Sequence, residues 1–234
     1  DFLNREPDQG GLTYWSDQIN LCGPDRDCLR ARRVDVSAAF FVEQEFQQTG
    51  SFVYRLYRSA LGRQLSYGEY SADRQQVIAG ANLEASKQAF AEAFVARPEL
   101  VQRYQANTTA ASFVDALLQT VKDSGTDLAT ERSNLIATYN AGHSLNESRA
   151  LAVRAVADNP LFSQSVYNQA FVLVEYFSYV RRDPDQGGYD FWLNVLNNRQ
   201  PGNYRGMVCA FLTSTEYQQR FGPVITRNNA DCGP

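Results

Sequence analysis

Four cysteines, a single histidine and a few acidic turns are the residues whose types could do chemistry in this sequence. Cys22 and Cys28 bracket "CGPDRDC", while Cys209 and Cys232 span the last helix and the tail. Four thiols allow three pairings. Cys22 with Cys28 and Cys209 with Cys232 are the favoured pairs, because each closes a short loop beside an irregular or glycine-containing segment. Free buried thiols are the alternative, and a zinc site is a third reading, weakened by the distance in sequence of the lone His143. Disulfides would place the chain in an oxidising compartment. A nucleophile triad needs a base beside a serine or cysteine, yet His143 lies in "YNAGHSLNES", which reads as a turn between helices. Glu43 and Glu45 stand two apart and face different ways on a helix; with Glu92 and Glu99 they read as solvated surface. Asp183, Asp185 and Asp190 in "RDPDQGGYD" resemble a calcium loop only faintly, because Pro184 and the paired glycines interrupt the alternating oxygen ligands such a loop requires. Neither common phosphate-binding glycine loop is present. The expectation is a protein with no catalytic residues, no cofactor and no metal.

The elements that would position these residues are repeated. "REPDQGGLTYW" at Arg5 to Trp15 recurs as "RDPDQGGYDFW" at Arg182 to Trp192. Apolar pairs heading a helix recur as Phe52 with Val53, Phe113 with Val114 and Phe171 with Val172, and apolar residues six apart close each unit: Phe40 and Phe46, Phe94 and Leu100, Val156 and Phe162, Phe211 and Tyr217. The spacing predicts an all-α fold of about four tandem three-helix repeat units, the first lacking its opening helix: residues 1–50, 51–107, 108–168 and 169–223, with a tail at 224–234. Asp8 and Asp185 are expected to cap the second helix of their units, with Gly10, Gly11, Gly187 and Gly188 completing the turn. Trp15, Trp192, Phe40, Phe94 and Phe211 are the expected core aromatics, with the pairs Tyr14 and Trp15, and Phe191 and Trp192, turned inward. The stretches "ARPEL" and "ADNPLF" are expected to end their helices. No segment alternates as a strand does.

Of 234 residues, 44% are hydrophobic and 12% aromatic, enough for a sizeable core. The net charge of -4 lacks the basic excess that holds nucleic acid, and no apolar run approaches a membrane span, so neither nucleic acid nor membrane insertion is expected. Asn107 and Asn146 fit the glycosylation triplet and are taken as markers of surface turns.

The helix "FVYRLYRSALGR" at Phe52 to Arg63, the turn "RDPDQGGYDFW" at Arg182 to Trp192 and the closing "TSTEYQQRF" at Thr213 to Phe221 together resemble the bacterial domain of unknown function 4214. The second and third units depart from it, having "RQLSYGEY" and "VKDSGTDL" at the turn. The resemblance implies helical repeats similar to the linker domains of phycobilisomes, found in exported surface proteins, and no established activity. The reading is a non-catalytic extracellular or cell-surface structural and interaction module of an exported bacterial protein. The missing opening helix means either that the sequence is a fragment of a longer precursor or that another chain supplies the element; in the second case self-assembly into polymers or filaments through the open first unit is expected, and other surface proteins are the expected partners. The alternative is a carbohydrate-binding or adhesion module that grips glycans with Tyr67, Tyr70 and Tyr204.

Overall fold

A computed structural model gives the fold, and the residues described are 6, 8–42 and 44–221, without the side chains of 41, 42 and 44. All regular elements among them are helices. They gather into two compact units, one from residues 48–170 and the other from the described parts of 1–47 and 171–234. The repeat that opens the sequence therefore packs with the one that closes it, and the two middle repeats pack with each other.

Helix α1 (Gln9–Asn20) begins where the Asp8 carboxylate accepts a hydrogen bond from Gly11 N at 2.7 Å, one of the donors a helix start leaves unpaired. Cys22 and Cys28 lie at disulfide distance, 2.00 Å, and tie the end of α1 to the first turn of α2 (Arg26–Val42). A short α3 (Gln44–Gln48) comes next.

The middle unit opens with α4 (Gly50–Leu61), whose residues are buried on every side except at Arg58. Its Phe52, Val53, Leu56 and Tyr57 are at most 1% exposed, and each side chain of this size contributes roughly 1.5–3 kcal/mol on leaving water. Gly62 ends α4 with φ 71°, the left-handed conformation that glycine adopts without a Cβ clash. Ser66 then caps α5 (Tyr67–Asp73) in a reciprocal box with Glu69. Helices α6 (Leu83–Val95), α7 (Pro98–Arg103), α8 (Ala110–Asp123), α9 (Arg132–Asn140), α10 (Leu145–Ala157) and α11 (Pro160–Ser165) complete the unit. The opening helices α4 and α8 pack together, as do α6 and α10. "ARPEL" and "ADNPLF" do end α6 and α10, but each proline also starts a further short helix, α7 or α11. The first helical position suits proline, since its missing N–H would be unpaired there anyway.

The other unit resumes in α12 (Tyr167–Glu175), which runs into a π-helical turn at Tyr176–Val180. Arg181 comes after it with φ 55°, at the position Gly62 holds in the middle unit. Asp185 caps α13 (Gln186–Asn194) through Gly188 N at 2.8 Å, and a second π-helical turn at Val195–Arg199 leads to α14 (Tyr204–Thr213) and α15 (Thr215–Gln219). Helix α14 packs on α2, where Arg205 pairs with Asp35 at 2.6 Å. At the centre of this unit Phe211 contacts Tyr176, Tyr179 and Trp192 with ring centroids 4.9, 5.8 and 6.0 Å away.

Candidate functional site

Tyrosine is the sixth residue of the opening helix, counted from its phenylalanine, in two repeats: Tyr57 after Phe52 and Tyr176 after Phe171. Each tyrosine lies beneath the arginine of the next turn, Arg63 at 5.1 Å and Arg182 at 5.5 Å from the ring centre. Each arginine forks onto the carboxylate of the closing helix. Arg63 reaches both oxygens of Glu99 at 2.9 and 2.8 Å, and Arg182 those of Glu216 at 2.6 and 2.8 Å. Planar two-point pairing of this kind fixes the turn against the end of its own repeat. The arginine hydrogen bonds hold the carboxyls of Glu99 and Glu216 below their ordinary range. The repeat between has Ser124 and Leu161 at these places and forms no such clasp.

A cleft of about 350 Å³ opens beside the clasp of the middle unit, lined by Tyr57, Leu61, Glu69, Asp73, Arg97 and Glu99 among others. Asp73 is 4% exposed and accepts from Tyr57 Oη at 2.6 Å and from both terminal nitrogens of Arg97 at 2.8 and 2.7 Å. Burial, and then the bond to Asp73, push the Tyr57 hydroxyl well above its ordinary pKa. Arg97 also covers Phe94 at 5.0 Å and Phe90 at 5.6 Å. Glu69 pairs with Arg63 at 2.7 Å, so the charged groups of the cleft are joined to one another. Such an arrangement holds three helices in register, with each of its charged groups paired inside the protein.

A second buried cluster joins α4, α6 and α10. Lys87 lies over the Phe52 ring at 4.5 Å and pairs with Asp158 at 2.8 Å, and Arg154 ties Asp158 to Glu84. Arg55 donates to the Ala157 carbonyl at 2.5 Å, and its burial, opposed by Asp158, lowers its pKa to about 10. In the other unit Glu175 is 0% exposed, and neither of its oxygens has a hydrogen-bond partner among the described residues. Burial disfavours the charged form and raises its pKa well above the ordinary value of 4.5. The matching residues of the middle repeats are Leu56 and Leu117, both 0% exposed.

The expected site residues divide sharply. Asp8 and Asp185 cap through Gly11 and Gly188, and Asp190 accepts from Gln186, so the acidic turn is spent on its own backbone and neighbours. Among the described residues no group of three or more histidine, cysteine or carboxylate side chains could hold a metal ion. His143 lies exposed between α9 and α10, where its N–H donates to Glu147. Glu92 accepts from Gln88. Cys209 is buried in α14; its expected partner Cys232 lies outside the described residues, as do Pro7 and Glu43. Phe94 and Phe211 are buried, whereas Trp15, Trp192 and Phe40 are half-buried, Trp15 and Phe40 in ring contact at 5.3 Å.

The paired aromatics correct the sequence reading. Tyr14 is 57% exposed and Phe191 49% exposed, each standing edge-on to the neighbouring tryptophan. Adjacent helical residues diverge by about 100°, so one ring of each pair turns outward. Of the tyrosines proposed to grip glycans, Tyr70 is buried, Tyr204 packs on Phe171 at 4.8 Å and Tyr67 is half-buried.

The exposed aromatics belong to a wider difference between matching helices. Leu12, Trp15 and Ile19 form the apolar stripe of α1, and their counterparts after α12 are Tyr189, Trp192 and Leu196. Leu12 is 47% exposed and Ile19 half-exposed, against 6% for Tyr189 and 1% for Leu196. In the middle unit the counterparts Tyr70 and Val77 are each 5% exposed. Helix α1 contains no buried residue at all.

Residues 155–221 match the model of a family described as a domain of unknown function, DUF4214. That stretch runs from the end of α10 through α15 and includes the clasp of Arg182 with Glu216. No curated protein and no solved structure matched the chain.

Proposed function

We propose that this chain, with its DUF4214 match at residues 155–221, is a non-catalytic interaction module that joins exported bacterial surface proteins by packing helix on helix. The observation that supports the reading is the pair of exposed apolar side chains on α1, Leu12 at 47% and Tyr14 at 57%. Helix α1 also carries one charged residue, Asp17, in twelve, and depletion of charge marks the centre of protein interfaces. The Cys22–Cys28 pair suits an oxidising compartment outside the cytoplasm. No helix among the described residues is long and apolar enough to cross a membrane.

Light scattering across a dilution series tests the reading on wild type and on Leu12→Glu. Species heavier than the 26.3 kDa monomer that vanish in Leu12→Glu support assembly through α1. If both proteins stay monomeric and neither binds a helix added in trans, the reading fails.

A further inference from the structure

We propose that the cleft of the middle unit is a binding site for a small aromatic amine, which seats its ring where the last repeat carries an indole of its own and brings its ammonium to Glu69 and Glu99.

The cleft arises from three exchanges between repeats. In the last repeat the places of Ala72, Asp73 and Leu100 belong to Phe191, Trp192 and Tyr217. The Trp192 indole there leans on Phe211, the counterpart of Phe94, with 6.0 Å between ring centroids, and Trp15 likewise meets Phe40 at 5.3 Å. The middle repeat has smaller side chains at all three places, and the space is not refilled: a cleft of about 350 Å³ remains, with Leu61, Phe94 and Leu100 among its walls. Small-molecule sites occupy about 300–1,000 Å³ and combine apolar walls with a few fixed polar groups, as this cleft does.

The same exchange brings in charge. At Gly188 of the last repeat a Cβ would run into the Tyr176 hydroxyl. In the middle repeat the matching Tyr57 hydroxyl donates to Asp73 instead, at 2.6 Å, and the position carries Glu69. Glu69 and Glu99 then share one guanidinium, that of Arg63, at 2.7 and 2.8 Å, whereas Arg182 pairs with Glu216 alone among the described residues. Asp73 is matched by Arg97, so these pairs leave one carboxylate in excess. Arg103 also acts on Glu99, but it is not part of the cleft wall and donates to Thr120 at 3.0 Å. A carboxylate has about four acceptor positions; Glu99 uses two of them, both on Arg63, and its side chain is half exposed. An alkylammonium is charged at neutral pH and offers three N–H donors to such oxygens, which an anionic ligand cannot do.

Tryptamine and indole-3-acetate serve as probes, because they carry one indole ring with opposite charges. Each is titrated into the full chain by calorimetry, and the amide shifts of Gly68 and Ala72, which line the cleft and are exposed, locate the site by nuclear magnetic resonance. Tryptamine is expected to saturate and to bind about tenfold or more tighter than indole-3-acetate, since the surplus carboxylate repels the second. Ala72→Phe copies Phe191 at an exposed position and should weaken tryptamine about tenfold or more by overfilling the cleft. An unchanged thermal unfolding curve for this variant separates lost binding from lost folding. Asp73→Trp with Arg97→Ser restores the indole and should abolish binding by a second route. No saturation at millimolar tryptamine, equal affinity for the two probes, or equal affinity in wild type and Ala72→Phe overturns the proposal. Saturation with shifts that leave Gly68 and Ala72 unmoved overturns it too.

Discussion

Replacing Glu175 with leucine should stabilise the unit that contains it, by an amount that grows with pH. The carboxyl occupies a place where the middle repeats put Leu56 and Leu117, and its oxygens have no partner among the described residues. An unmet buried polar group costs about 1–3 kcal/mol, and a buried leucine contributes about 1.5–3 kcal/mol, so Glu175→Leu should gain roughly 3 kcal/mol at pH 4.5. Burial raises the folded pKa of Glu175 well above 4.5, the value of an unhindered glutamate. Below 4.5 both the folded and unfolded chains hold the proton, and the native protein has its full stability. Above 4.5 the unfolded chain releases the proton while the folded chain keeps it. Each further pH unit then subtracts up to about 1.4 kcal/mol from wild type until the folded pKa is reached. The leucine variant has no proton to lose there, so the gap should widen as the pH rises above 4.5. The assay is urea unfolding at several pH values, followed by tryptophan fluorescence. Trp15 and Trp192 are the only tryptophans and both lie in this unit, so the signal is free of the other. The other carboxylates are common to both proteins and cancel. A gap that stays constant across this range, or a variant less stable than wild type, would refute the reasoning.

Other perturbations have equally definite outcomes. Asp73→Ala leaves Arg97 and Tyr57 without their shared acceptor and should cost about 3 kcal/mol in thermal unfolding, the lower end for a broken buried pair because Arg97 is a third exposed. Combining Asp73→Trp with Arg97→Ser copies Trp192 and Ser214 of the last repeat and should recover most of that loss. Cys22→Ser with Cys28→Ser should lower unfolding free energy by about 2 kcal/mol, the expectation for so short a loop, read in the fluorescence of Trp15.

What the sequence disclosed was what local chemistry decides. Asp8 and Asp185 declare themselves as caps because a cap satisfies backbone groups within the next three residues. The apolar heads at Phe52, Phe113 and Phe171 declare their helices because burial of one stripe leaves a period of three to four. Proline at 98 and 160 was legible as a stop, while its role as a start depends on whether the residues after it can form another turn. The pairing of the first repeat with the last was not legible, although those two share the turn "PDQGG" and the tryptophan; which helices meet is settled by surfaces far apart in sequence. Glu175 and Asp73 escaped notice for the same reason: an acidic residue looks like surface until its repeat partners, Leu56 and Trp192, show that the position is apolar. Superposing the repeats residue by residue is the signal that finds both. Tyr14 and Phe191 could have been placed from helix geometry alone, since neighbours cannot both face the core.

The interleaved order of the two units has a consequence for synthesis. Residues 48–170 form a continuous stretch and can fold as soon as they have emerged. The unit built from both ends has no such freedom. Its leading segment, with the half-buried stripe of α1 and the face of α2 that meets α14, must wait while all of residues 48–170 are made, roughly 6–25 s at translation rates of about 5–20 residues per second. Through that interval α1 and α2, joined by Cys22 and Cys28, stand without their closing half. The short loop between the two cysteines needs nothing from the late-made end, so it can hold α1 against α2 until residues 171–221 arrive.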